Sequence, residues 1–123
     1  MEDENKKALG NAEFKAKNFD KAIEYYTAAL ASTPDDHTIY GNRAMAYMNT
    51  GKFDEALKDG EKCVELKPDW GKGYHRKGAA LHKLGKFEDS MAAYAKGLEI
   101  DPTNAAMRQG MEEMRASFKS QNN

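Results

Sequence analysis

The chain has only three prolines, Pro34, Pro68 and Pro102, and each stands 34 residues after the last. Equal spacing of a residue that helices do not tolerate internally marks a repeat. Shifting the sequence by that interval superposes Phe19, Phe53 and Phe87; Leu30, Val64 and Leu98; Ala22, Ala56 and Ser90; and the small residues Gly10, Ala44 and Gly78. With each proline at position 32, the units run 3–36, 37–70 and 71–104, and nineteen residues follow. In each unit two helical stretches flank a short break, at Lys17-Asn18, Gly51-Lys52 and Gly85-Lys86. Ala22, Ile23, Tyr26, Ala29 and Leu30 recur at steps of three and four, the period of a helix with one buried face. Asp35 or Asp36, and Asp69, follow the first two prolines where a carboxylate can cap the next helix. No strand is needed anywhere, so the expected class is all-α.

A short helix pair cannot bury its apolar face alone, whereas stacked pairs share a continuous core and the last pair needs a lid. Met107, Met111, Met114 and Phe118 form an apolar stripe that predicts a capping helix over 104–119, followed by a disordered tail at 120–123. A dimer seam is the alternative use of that stripe, but a coiled coil would need more heptads, and a monomer is expected. The length of 123 residues suits one domain spanning 1–119 and is too short for two ordinary ones. With 32% charged and 10% aromatic residues, a folded and very soluble protein is expected. The formal net charge of -1 gives no general pull toward nucleic acid or an anionic membrane, so recognition by charge must be local. No apolar run approaches the roughly 20 residues that cross a bilayer. The single Cys63 and an N-terminus without a secretory pattern point to a reducing, cytoplasmic setting.

A helix-turn-helix unit of this period, with a small residue at position 8, an aromatic at 17, a small residue at 20 and proline at 32, resembles the tetratricopeptide repeat (TPR) over essentially the whole chain. Two departures are Lys6, where the other units have Tyr40 and Tyr74, and Gly60, where the others have Tyr26 and Tyr94. The resemblance implies three TPRs in a right-handed superhelix, closed by the capping helix. It also implies a concave wall made by the first helix of each pair. The wall positions hold Glu4, Lys7, Ala8, Asn11, Phe14 and Lys15; then Thr38, Gly41, Asn42, Met45, Met48 and Asn49; then Lys72, His75, Arg76, Ala79, His82 and Lys83. Five cations face one acid in that set, so the groove is a basic stripe on an acidic body. Lys7 with Asn11, and Lys72 with Arg76, are four apart and project from one helix face. Asparagine is a poor helix residue, yet Asn11 and Asn42 both sit inside helices.

This set resembles the dicarboxylate clamp of co-chaperone TPR domains, with Lys7, Asn11, Asn42, Lys72 and Arg76 filling every place. The resemblance implies that Lys7 and the asparagines hold a partner's terminal carboxylate, while Lys72 and Arg76 reach the last aspartate's side chain. The segments Leu9-Gly10-Asn11, Tyr40-Gly41-Asn42-Arg43-Ala44 and Lys67-Pro68-Asp69-Trp70-Gly71-Lys72-Gly73-Tyr74 are most similar to the first TPR domain of the family that organises heat-shock-70 and heat-shock-90 chaperones. The implied partner is the Glu-Glu-Val-Asp (EEVD) tail of a cytosolic heat-shock-70 chaperone, with the heat-shock-90 tail as the alternative. Charge-assisted hydrogen bonds contribute about 1.5–3 kcal/mol each, and micromolar binding needs about 8 kcal/mol net. Upstream peptide side chains must therefore add contacts, on Phe14, Met45, Met48, Ala79 and Lys83.

Other classes fit less well. The run from Gly78 to Gly85-Lys86-Phe87 has the wrong spacing for a phosphate loop, and no nucleophile elbow or zincin motif occurs, so no enzyme is expected. His37, His75 and His82 lack metal-ligand spacing with Cys63 or an acid, and neither metal nor cofactor is expected. Cys63, beside the apolar Val64, reads as a packing residue. A helical-repeat RNA binder is a rival class, but one compact cluster with asparagines suits a short acidic terminus better than a phosphate backbone. A self-associating scaffold would rest on the tail helix alone.

Overall fold

The computed structural model describes residues 2–122, with side chains from residue 6 to residue 120. Seven helices follow one another: α1 Glu2–Lys15, α2 Phe19–Ser32, α3 His37–Asn49, α4 Phe53–Leu66, α5 Gly71–Lys83, α6 Phe87–Ile100 and α7 Ala105–Asn122. Each proline lies between two helices, as its inability to continue one requires. Every helix packs on its neighbours in sequence, and α1 with α3, α3 with α5, and α5 with α7 also touch. The odd-numbered helices therefore make one wall, and the even-numbered ones stand behind it.

The turn inside each pair needs one residue in the left-handed region. Gly51 and Gly85 take φ of 76° and 79°, and Lys17 takes φ 64° at the same place in the first unit. Glycine enters that region without steric cost, whereas lysine does so against its Cβ. Two buried clusters anchor the stack. Tyr26, Ala22, Ala29, Leu30, Ile39 and Ala46 join the first two pairs, and Tyr94 packs with Met107, Met111 and Met114. Met107 and Met114 are fully buried, so the tail stripe is spent within the chain, and each contributes about 1.5–3 kcal/mol. The capping role expected for this helix is what the fold shows.

Two local expectations change. Asp36 does cap α3, its carboxylate accepting from the Thr38 amide at 3.0 Å. Asp69 does not cap α5, because that helix begins at Gly71 and the cap position falls on Trp70. The indole is held there edge-on to His37, with ring centroids 4.7 Å apart, and Asp69 pairs with Lys67 at 3.5 Å instead. The second change is at the end of the chain. α7 starts behind Asn104, whose side chain accepts from the Met107 amide at 2.9 Å, and continues to Asn122. Residues 120–122 thus prolong the helix where a disordered tail was expected, since no glycine or proline follows Lys119 to stop it. Position 123 lies outside the described residues.

Gly60, the departure from the repeat, has a structural reason. A Cβ at this position would lie 2.8 Å from the Lys77 amide nitrogen and 2.9 Å from its Cα. The tyrosines of the other units could not fit there, and the bare backbone lets α5 press onto α4 directly beside Arg76.

Candidate functional site

On the wall of odd-numbered helices, Asn11, Phe14, Lys15, Tyr26, Asn42, Met45 and Arg76 line a hollow of about 330 Å³. Asn11 comes from α1, Asn42 from α3 and Arg76 from α5, so three successive pairs contribute to one cavity. Its polar groups are ordered by a short chain of hydrogen bonds. The Tyr26 hydroxyl donates to Asn11 Oδ1 at 2.6 Å, and Asn42 Nδ2 donates to the same oxygen at 3.2 Å. With its oxygen doubly occupied, Asn11 is fixed with its amide NH₂ left as a donor. Burial pushes the Tyr26 phenol up to about 12, so it stays protonated and donating.

Arg76 is the unusual member. Its Nη1 meets His75 Nδ1 at 2.7 Å, while its buried Nε has no hydrogen-bond partner. Burial pulls its pKa below the ordinary arginine value, and no carboxylate is placed to offset that. Arginine stays charged in proteins, so this is a half-buried cation without an acid among the described residues. A cavity holding such a charge, with amide donors of Asn11 and Asn42 beside it, is chemically suited to an anion.

Other groove residues lie elsewhere. Lys7 does not line this hollow: its Nζ donates to Thr38 Oγ1 at 2.7 Å and pairs with Asp36 Oδ2 at 3.2 Å. Burial opposes ionisation of Asp36, but hydrogen bonds from Thr38 and Lys7, with the Lys7 charge, outweigh it and hold this carboxyl below its usual range. Lys72 is exposed in the first turn of α5. Met48, Ala79 and Lys83 line a second hollow of about 280 Å³, together with His75, His82 and the α7 residues Gln109 and Glu113. The residues read as peptide contacts are thus divided, with Phe14 and Met45 in the first hollow and the other three in the second. Both methionines are half-buried and line hollows, outside the buried core. The side chain of Glu4 lies outside the described residues.

Tyr26 and His75 are the two groups bonded to members of this site to which the sequence assigns no part in it. Tyr26 is core, as its place on the buried face of α2 predicts, and a buried phenol must also find a partner for its hydroxyl, which is the available signal for its bond to Asn11. His75 stood in the groove register without a role. Cys63 is buried and packs as expected, its thiol donating to the His37 carbonyl at 3.4 Å. Burial, and then Asp59, push that thiol up to about 12, which leaves it inert. Among the described residues no three His, Cys, Asp or Glu side chains gather as a metal site would need, and no helix is long and apolar enough to cross a membrane.

The chain is similar to known proteins over most of its length. Residues 1–78 match the family described as "Serine/threonine-protein kinase BSK1-like, TPR repeats", and residues 71–104 match the tetratricopeptide repeat. It is 48% identical over 111 residues to Hsp70-Hsp90 organizing protein 2 of Arabidopsis thaliana, covering 90% of this chain and 19% of that protein. It is 44% identical over 105 residues to the Hsp70-Hsp90 organizing protein of Triticum aestivum, covering 85% of this chain and 18% of that protein. The chain therefore spans under a fifth of the length of these relatives. The Sgt2 TPR domain from Aspergillus fumigatus superposes with a TM-score of 0.93 at 31% identity, covering 99% of this chain and 82% of that one. The first TPR of Spaghetti (RPAP3), bound to the HSP90 peptide SRMEEVD, gives 0.90 at 31% identity over 95% and 93%. The second TPR domain of human RPAP3, in complex with the HSP70 peptide SGPTIEEVD, gives 0.85 at 30% identity over 89% and 92%.

Proposed function

Since the chain belongs to the tetratricopeptide-repeat family, we propose that it is a co-chaperone module holding the EEVD end of a cytosolic heat-shock-70 chaperone. It works as an adaptor in the cytoplasm and carries out no chemistry. The observation that carries this reading is Arg76, a half-buried cation whose Nε is buried without a partner, on a cavity lined by no acid and beside the amides of Asn11 and Asn42. Relatives named as organizers of Hsp70 and Hsp90, and TPR domains solved with EEVD-ended peptides, support it.

A chain ending in aspartate brings two carboxylates together, and both lose water on binding. Arg76 and the asparagines offer charge and fixed donors to one, and Lys72 lies exposed at the start of the same helix as Arg76. Lys7 has three N–H donors and spends two on Asp36 and Thr38, so one is left for the ligand. Three charge-assisted bonds give roughly 5–9 kcal/mol gross, which is only enough for micromolar binding once apolar contacts are added. Phe14 and Met45 supply those beside the carboxylates, and Met48, Ala79 and Lys83 supply them upstream.

The same clamp would take the heat-shock-90 tail, which has the same last four residues, and a TPR domain similar to this chain was solved with that peptide. Calorimetry with both tail peptides, each as free acid and as C-terminal amide, tests the reading. Micromolar binding of the acids and at least tenfold weaker binding of the amides is expected. Equal affinities for acid and amide would refute it, and the two acids side by side rank the chaperones.

A further inference from the structure

Arg76 has a cationic side chain whose orientation matters, yet among the described residues no acid orients it. Among the described residues the side chain that holds it is the residue before it, through the Nη1 contact with His75 Nδ1 at 2.7 Å. Arginine can only donate, so His75 Nδ1 must accept, and the ring proton of a neutral imidazole then sits on Nε2. The imidazole is itself held in place. It lies 6.1 Å from the Tyr94 ring, tilted 42°, and lines the second hollow with Met48, Ala79 and Gly110. His75 and Arg76 thus form the partition between the two hollows, one residue facing each.

The geometry points to His75 as the positioning residue of the anion site: a neutral acceptor that aims the Arg76 guanidinium without cancelling its charge. A carboxylate at this place would aim the guanidinium equally well, but would be the counter-ion that the ligand is meant to supply. Burial, with the Arg76 charge second, holds the His75 pKa down at about 4, so the ring is neutral when the peptide carboxylates are charged. The inference rests on the proposed peptide function and adds to it a residue that touches no ligand carboxylate itself.

Three variants and one spectrum test it. In the free protein, the imidazole nitrogen resonances should show His75 with a bare Nδ1 and a protonated Nε2. With an EEVD-ended peptide in calorimetry, His75→Ala should bind about tenfold more weakly, because a freed arginine must be ordered by the ligand. His75→Asn, whose Oδ1 can accept from Nη1, should stay within about threefold of the wild type. His75→Asp should fold and still lose at least tenfold, since it neutralises Arg76. Circular dichroism confirms that each variant is folded before its affinity is compared. Wild-type affinity in His75→Ala or His75→Asp, Asn as weak as Ala, or a protonated Nδ1 would overturn the inference while leaving the peptide function intact. Failure of the wild type to bind any acidic tail would overturn the functional reading, and this inference with it.

Discussion

Removing the carboxylate of Asp59 should cost the domain far more than removing its whole ion pair. Arg43 on α3 grips Asp59 on α4 with two bonds, Nε to Oδ2 at 2.8 Å and Nη2 to Oδ1 at 2.7 Å. Its third nitrogen reaches Thr27 on α2 at 3.1 Å, and the guanidinium lies 5.7 Å and 5.5 Å from the rings of Tyr40 and Tyr47. The side chains are only 16% and 5% exposed, so both charges have left water. Burial pushes the Asp59 carboxyl up even with Arg43 against it, while for Arg43 the same pairing outweighs burial and raises its pKa. Desolvation therefore wins at one partner and attraction at the other, the opposition common in buried ion pairs. Asp59→Ala keeps the desolvated cation and deletes its partner, an expected loss of about 3–5 kcal/mol. The double variant Arg43→Met with Asp59→Leu removes both charges and keeps the volume, and should lie within about 1 kcal/mol of the wild type. Urea unfolding followed by circular dichroism gives both numbers from midpoints and slopes. An Asp59→Ala loss below about 1 kcal/mol, or a double variant as unstable as the single one, would refute that opposition.

Three further outcomes are expected. Asp36→Asn keeps an acceptor for the α3 cap but releases Lys7 from an internal carboxylate. Peptide affinity should rise about three- to tenfold by calorimetry, and an unchanged or weaker affinity would show that Asp36 helps to aim Lys7 instead. Lys17→Gly removes a side chain from the left-handed turn and should stabilise the domain by about 0.5–1 kcal/mol in the same urea experiment, whereas a loss would mean that the lysine makes compensating contacts. The unfolded chain binds a proton at His75 near pH 6.5 and the folded chain only near 4, so acidification across that window must destabilise the fold. The effect is at most about 3 kcal/mol for His75, and the stability of the wild type should fall relative to that of His75→Asn as pH falls from 6.5 to 4.

Much of the architecture was legible in the sequence because its signals are local. Proline stops a helix wherever it occurs, glycine opens a left-handed turn, and apolar residues at helical spacing declare a buried face. Those signals recur every 34 residues, so helix pairs, their order and the lid on the last pair follow from the chain alone. The register also puts Asn11, Asn42 and Arg76 on one wall. What it could not reveal is which groups hold one another across that wall. Lys7 meets Asp36 and Thr38 from 29 and 31 residues away, and Asn42 meets Asn11 from 31, through contacts that depend on ångström-scale distances between helices. Those distances are set by packing, as where the bare Gly60 lets α5 close onto α4. The pattern of units belongs to the sequence; the unsatisfied Nε of Arg76, the imidazole support of its Nη1 and the division of the groove into two hollows belong to tertiary structure, because side chains far apart in the chain acquire partners only when packing fixes how closely their helices approach.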